Sequence, residues 1–299
     1  MLAVAVVLGG CSHGTDPAAS TAATPMWVSD TQSASPSASP SAKPSPTGPS
    51  PEQLAKTKWA GQVKKLNAAL AKVAGSSPDF SVAVLDKKTG QKYAYRGTVA
   101  YDTASIVKAQ ILACMLLHDQ DAGHGPTSSE MSLATPMIRL SDNNAATSLF
   151  QHVGGRSAVG RCDRRLGLTH TVVNSAWGLT RTTADDQIKL LSQFVDTASP
   201  LKASSRKTIF TLMNSVSDAQ DWGIPSIARS GETATVKNGW DTRSADGGLW
   251  AINTIGRVTA ADGHVNVSVA VLSHDNRSMS AGVALVQKVA KLTRQYLAY

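Results

Sequence analysis

The sequence predicts an α+β fold in which a five-stranded antiparallel sheet, drawn from both ends of the chain, carries flanking helices and an all-helical lobe. Three observations predict it. Two alternating apolar segments lie close together early in the folded part, and a long middle stretch spaces its apolar residues three and four apart. Three further strand-like segments then precede a closing helical run. With 299 residues, 42% of them hydrophobic, the chain can bury a core for one large domain or two intimately packed lobes.

The N-terminal segments belong to neither lobe. Residues 1–10 form a short apolar run ending in Leu-Gly-Gly before Cys11, which resembles a bacterial lipobox and makes Cys11 the expected lipidation site. The run is too short to span a bilayer and has no basic n-region, so the true translation start is expected upstream. Residues 12–51 turn to Ser, Pro, Ala and Thr around SASPSASPSAKPSPTGPSP. Such a segment buries too little apolar surface to offset its ordering entropy, and its prolines favour an extended tether.

The domain is expected over 52–299. A helix covers about 52–73, and FSVAVLD (80–86) and QKYAYRG (91–97) alternate around KKTG, which reads as a hairpin turn. From 105 to about 215 the spacing is helical, punctuated at Gly123, Gly154–Gly155 and Gly178, and the helical lobe is set at about 103–215. TATVKNG (233–239), LWAINTIGRV (249–258) and NVSVAVLS (266–273) read as strands, and a last helix runs over about 280–297. There is no internal repeat. The formal net charge of +8 favours anionic surfaces such as cell-wall polymers. No run of Lys and Arg with interleaved aromatics supports nucleic acid as a partner. Cys114 and Cys162 are far apart in sequence, which leaves a disulfide between them open.

Ser105 and Lys108 lie three apart in TASIVKAQILACMLL, followed in order by Ser-Asp-Asn at 141–143 and Lys-Asn-Gly at 237–239. A serine hydroxyl is almost un-ionised at neutral pH, so a nearby base must accept its proton. Residues three apart on a helix share a face, which brings the Lys108 amine within reach. The same spacing recurs at Ser199/Lys202 and Ser204/Lys207, in a polar stretch that reads as solvated loop and helix start. Only Ser105 opens a long apolar helix, whose positive end and apolar surroundings would depress the lysine pKa. A helix N-cap is the alternative role for Ser105.

The trio and its layout resemble the penicillin-recognising serine hydrolases, the superfamily of class A β-lactamases and D-alanyl-D-alanine peptidases with their S-x-x-K, S-D-N and K-T-G set. The likeness covers about residues 52–299, including Gly154–Gly155 and Thr182–Thr183, and implies the β-lactamase/transpeptidase-like form of the α+β fold. The literal Lys88-Thr89-Gly90 precedes Ser105 and falls in the hairpin turn, so Lys237-Asn238-Gly239 is the counterpart. The resemblance implies that Ser105 attacks a carbonyl carbon while Lys108 takes its proton. Ser141 relays a proton to the leaving nitrogen, assisted by Lys237, which also attracts the substrate carboxylate. Asn143 binds the substrate amide, the backbone N–H groups of Ser105 and Trp240 form an oxyanion hole, and Gly239 permits close approach of substrate backbone. Asp142 is read as structural. Arg243 and Arg229 are candidates for a second cation near the carboxylate, with a surface arginine as the alternative for each.

Three departures from the family pattern matter. The stretch 168–183, LTHTVVNSAWGLTRTT, contains no Asp or Glu where class A β-lactamases carry a water-activating glutamate. Asp185 and Asp186 read as first-turn acids of a helix capped by Thr182 or Thr183, and His170 is a candidate base that also reads as polar surface. Ser105 and Ser141 are closer in sequence than in familiar class A enzymes, which implies a more open cleft. Asn238 replaces a hydroxyl residue, which alters carboxylate recognition.

The expected function is therefore acyl transfer through an acyl-enzyme at Ser105, with slow deacylation, by an extracytoplasmic, lipid-anchored hydrolase. A non-catalytic cell-wall binding or sensing lipoprotein is the alternative. The expected partners are a β-lactam or peptidoglycan-derived peptide and, through lipid on Cys11, the membrane. The protein is expected to act as a monomer, without cofactor or metal.

Overall fold

Ser50 starts the folded part. Its hydroxyl accepts from Gln53 N (3.2 Å) while Gln53 Oε1 accepts from Ser50 N (2.7 Å), and Pro51 fills the first helical turn, where its missing N–H costs nothing. The computed structural model describes residues 48–299, and the expected lipid site at Cys11 and nearly all of the tether lie outside the described residues. The helix begins at Pro51, one residue inside the expected tether.

In chain order the elements are α1 (Pro51–Ala74), β1 (Phe80–Asp86), β2 (Lys92–Tyr95), β3 (Ala100–Asp102), α2 (Val107–Asp121), α3 (Ser128–Arg139), α4 (Asn143–His152), α5 (Gly155–Arg165), β4 (Arg181–Thr183), α6 (Ala184–Gln193), α7 (Ala203–Met213), β5 (Glu232–Thr242), β6 (Trp250–Ala260), β7 (Asn266–Asn276) and α8 (Met279–Leu297). The five-stranded sheet has the order β2-β1-β7-β6-β5, antiparallel throughout, so the first hairpin is completed by β7 from the other end of the chain. Strand β5 forms an edge. The turn between β1 and β2 places Gly90 at φ 73° and ties Lys88 N and Thr89 Oγ1 to the Asp86 carboxylate, which confirms Lys88-Thr89-Gly90 as a turn.

Alternation decides which face each strand residue serves. Phe80, Val82 and Val84 face a core shared with Leu66 and Leu70 of α1 and Val286 and Val289 of α8, whereas Ala83 and Leu85 face the helical side. Both faces are covered, and each fully buried aliphatic side chain contributes about 1.5–3 kcal/mol. Helix α2 is buried from Val107 through Leu117, which makes it the axis of the helical lobe. A disulfide between Cys114 and Cys162 fastens α2 to α5 across a sequence separation of 48. Closing a loop of that length contributes about 4 kcal/mol in the chain-entropy account.

The middle of the chain is not wholly helical. Strands β3 and β4 pair as a two-stranded ribbon, in register Ala100–Thr183 to Asp102–Arg181. Three residues are too few to show alternation, so this ribbon is invisible to periodicity. It is nonetheless decisive for the site, because it lays 168–183 beside the approach to Ser105, where Thr103 N donates to Thr180 O (2.8 Å). Among the described residues no helix is long and apolar enough to cross a membrane.

Candidate active site

Ser105 lies in a 3-10 turn, Ala104–Ile106, that feeds α2, instead of opening the α-helix itself. It caps nothing, which removes the N-cap reading. The preceding Ala104 has φ 45° and Ser141 has φ 59°, both left-handed, so strained backbone brackets the two hydroxyls. Buried Asn253 of β6 pins the approach, its Nδ2 donating to Asp102 O (2.9 Å) and Thr103 O (3.0 Å). Sequence reasoning missed Asn253; its signal was an amide inside the apolar run LWAINTIGRV.

The first two motifs meet at the Lys108 amine, and the third joins them through Ser141 Oγ. Lys108 Nζ lies 2.9 Å from Ser105 Oγ, 2.6 Å from Ser141 O, 3.1 Å from Ser141 Oγ and 2.7 Å from Asn143 Oδ1. A carbonyl and an amide oxygen can only accept, so they occupy two N–H groups. A neutral amine then has its lone pair left for the two serine hydroxyls. Lys237 Nζ, projecting from β5, lies 3.1 Å from Ser141 Oγ and 2.8 Å from Asn238 O. Ser141 Oγ thus stands between two amines. The lysines have no exposed surface, while Ser105 and Ser141 keep 8% and 9%, so the hydroxyls are what the cleft presents.

Burial explains the electrostatics. It pushes the Lys108 pKa down to about 8, against the Asp142 carboxylate, which favours the ammonium. Lys237 is held well below its usual range by complete burial and then by the charge of Lys108. Asp142 is structural, its carboxylate accepting from Ala145 N (2.7 Å) at the start of α4.

Other expected site residues fall differently. Asn238 is 1% exposed, and its Nδ2 donates to Gln220 O (2.8 Å) and Trp222 O (3.0 Å). Alternation turns it to the opposite face of β5 from Lys237, and its amide nitrogen is engaged by the protein's own backbone instead of standing free for a substrate. Gly239 serves the protein's own backbone: a Cβ there would lie 2.7 Å from Ile106 N, 2.8 Å from Thr103 O and 2.9 Å from Ser105 N. The close approach that the structure shows at Gly239 is that of the Ser105 turn. Trp240 follows Gly239 on β5 and leans its ring edge-on against Trp222, centroids 6.0 Å apart.

Arg243 is not a free cation, because its guanidinium pairs with Asp102 (3.0 Å) and Asp246 (2.6 Å). With Arg181 and Asp241 it lines a mixed-charge cavity of about 250 Å³. Arg229 precedes β5, at the far end from Gly239. Lys202, Ser204 and Lys207 are exposed, which matches the surface reading of the other two Ser-x-x-Lys pairs.

The stretch 168–183 brings no carboxylate or imidazole to Lys108. Asp186 is fully buried and accepts from His170 N (2.7 Å), Thr171 Oγ1 (2.9 Å) and Lys189 Nζ (2.8 Å), while its own N–H donates to the capping Thr183 hydroxyl (3.1 Å). The His170 ring faces Asp186. What reaches Lys108 is an indole: the Trp177 ring centroid lies 4.9 Å from Nζ. Trp177 was passed over in the sequence, although it is the one aromatic in LTHTVVNSAWGLTRTT besides His170.

A family model described as the β-lactamase enzyme family matches residues 119–297, which takes in Ser141 and Lys237 but begins beyond Ser105 and Lys108. The lipoprotein LppW of Mycobacterium tuberculosis is 28% identical over 184 residues, covering 59% of this chain and 58% of its own length, and LppW of Mycobacterium bovis gives the same figures. The chain thus spans less than two thirds of these relatives. The TLA-1 extended-spectrum β-lactamase superposes with a TM-score of 0.70 at 19% identity over 80% of this chain and 100% of its own. The chromosome-encoded β-lactamase of Vibrio parahaemolyticus gives 0.66 at 18% identity, over 78% of this chain and 98% of its own. An ancestral class A β-lactamase gives 0.66 at 23%, over 78% and 100%. These likenesses establish the fold.

Proposed function

The chain belongs to the β-lactamase enzyme family, within the penicillin-recognising serine hydrolase superfamily, and on that premise we propose that it is an acyl-transfer enzyme acting on β-lactam or D-Ala-D-Ala-type peptide amides. The observation that carries this reading is the 2.9 Å contact between Lys108 Nζ and Ser105 Oγ, on an amine that also meets two fixed acceptors, Ser141 O and Asn143 Oδ1. The Ser105 proton passes to the Lys108 lone pair as Oγ bonds to the carbonyl carbon, and the carbonyl electron pair moves onto oxygen. Backbone N–H groups of Ser105 and Trp240 receive that oxyanion. When the C–N bond breaks, the Ser141 hydroxyl protonates the departing nitrogen and is resupplied by Lys108. Lys237, fully buried, acts on the carboxylate end of the substrate through its field and through Ser141.

Deacylation is slow in this reading, because 168–183 supplies no carboxylate to activate water. The lipobox-like residues before Cys11 and the name of the mycobacterial relative support a lipid-anchored, extracytoplasmic protein. The disulfide supports an oxidising compartment. Labelling with a fluorescent penicillin, read by intact mass, tests the chemistry: one adduct on the wild type and none on Ser105→Ala is expected. No adduct on the wild type would favour a binding or sensing role.

A further inference from the structure

Besides the four oxygen atoms within hydrogen-bond distance, Lys108 Nζ has the Trp177 ring over it, 4.9 Å from Nζ to the centroid. The ring is fixed at both ends. Its Nε1 donates to Thr147 Oγ1 on α4 (3.1 Å), and its backbone sits in a 3-10 turn, Trp177–Leu179, closed by Leu179 N to Ala176 O (2.8 Å) and Thr180 N to Trp177 O (3.1 Å). Thr103 Oγ1 donates to the next carbonyl, Gly178 O (3.3 Å), which couples this turn to the nucleophile segment. The Trp177–Leu179 turn therefore links the Ser-Asp-Asn helix, through the indole, and the Ser105 segment, through Gly178 O.

We infer that Trp177 is a lid that keeps hydrolytic water from the Lys108 side of an acyl group on Ser105, and so sets the acyl-enzyme lifetime. This deepens the proposed acyl-transfer reading and rests on it. A water that hydrolyses an ester needs a base and space beside the acyl carbon. The nearest amine is Lys108, and the space next to it holds an apolar ring. The ring has two opposed effects on the amine: its face attracts an ammonium, whereas its bulk excludes the water that would solvate one. The lowered Lys108 pKa accords with exclusion being the larger. The charged groups around that amine are Asp142 at the start of α4 and Lys237 on β5, and both stay in place when Trp177 is changed.

The test uses the purified full chain, a fluorescent penicillin, and the variants Trp177→Ala, Trp177→Phe and Thr147→Val. After removal of free probe, the Ser105 adduct of Trp177→Ala should decay roughly tenfold faster than that of the wild type. Trp177→Phe keeps a ring and should stay within about twofold, and Thr147→Val, which unpins the indole, should fall between them. Equal lifetimes in wild type, Trp177→Ala and Thr147→Val would overturn the lid. A second readout needs no acylation: the Lys108 titration, followed by lysine-selective carbon NMR, should move up by at least about half a unit in Trp177→Ala and stay put in Trp177→Phe. An unchanged or lower midpoint overturns the lid. If the wild type takes no label at all, the acyl-transfer reading fails, and the titration still decides whether Trp177 shields the amine.

Discussion

Gly239 and Ser105 are in backbone contact: a Cβ on Gly239 would stand 2.9 Å from Ser105 N and 2.7 Å from Ile106 N. The glycine of the third motif thus sets how closely β5 can press on the Ser105 turn. Gly239→Ala must push that turn away and carry the Ser105 N–H out of position. The expected result is a loss of roughly a hundredfold in the penicillin labelling rate, as for removal of an oxyanion donor, with melting temperature shifted far less than for a core deletion. Labelling within a few-fold of wild type would show that the turn yields without cost.

Lys108 titrates at about 8, down from 10.5, so the neutral base is a minority species at pH 7. The labelling rate should rise with pH and level off above about 8, measured from pH 6 to 9.5. The sign for stability is the same. Between the folded pKa of about 8 and the unfolded 10.5 the unfolded chain binds a proton that the folded one lacks, so this group's contribution grows with pH in that window. Lys108→Arg, charged throughout, should lose about 10²–10⁴ in rate. A flat profile in the wild type would assign the base elsewhere.

Asn238→Ala separates structure from recognition. Gln220 O and Trp222 O lose their side-chain donor in a buried place, at a cost of about 1–3 kcal/mol. Denaturant unfolding should show that cost while penicillin labelling stays near wild type. A large loss of labelling at full stability would return Asn238 to the substrate.

Asp163, 2% exposed beside the disulfide, accepts from Gln110 Nε2 (2.6 Å) and has its second carboxylate oxygen unpartnered. Burial, the leading cause, raises its pKa from 3.8 to about 7. Its favourable contribution, complete below the unfolded value, is lost as pH rises from about 4 to about 7. Asp163→Asn keeps an acceptor for Gln110 and removes the buried charge. Urea unfolding at pH 8 should show a gain of at least about 1–3 kcal/mol, which shrinks as pH falls and vanishes only at about pH 4, near the unfolded pKa. An equal effect at both values would mean the carboxyl does not titrate in this range.

Much of this was legible along the chain because its causes are local. Hydrophobic period and turn residues defined α1, the first hairpin, the three late strands and α8 within a few residues. The order Ser105–Lys108, Ser141, Lys237 picked out residues that the fold brings together, which the spacing alone could not do, since the pairs Ser199/Lys202 and Ser204/Lys207 share it. The remaining features depend on which distant segments meet. Three-residue strands such as β3 and β4 carry no readable period. The direction of Asn238, the pairing of Arg243 with Asp102 and Asp246, and the contact of Gly239 with the Ser105 turn exist only once β5 docks on that turn. The stretch without a carboxylate was visible as composition. That Trp177 lies over Lys108 was not, because a ring lands on an amine 69 positions away only through the ribbon and the packing that hold both.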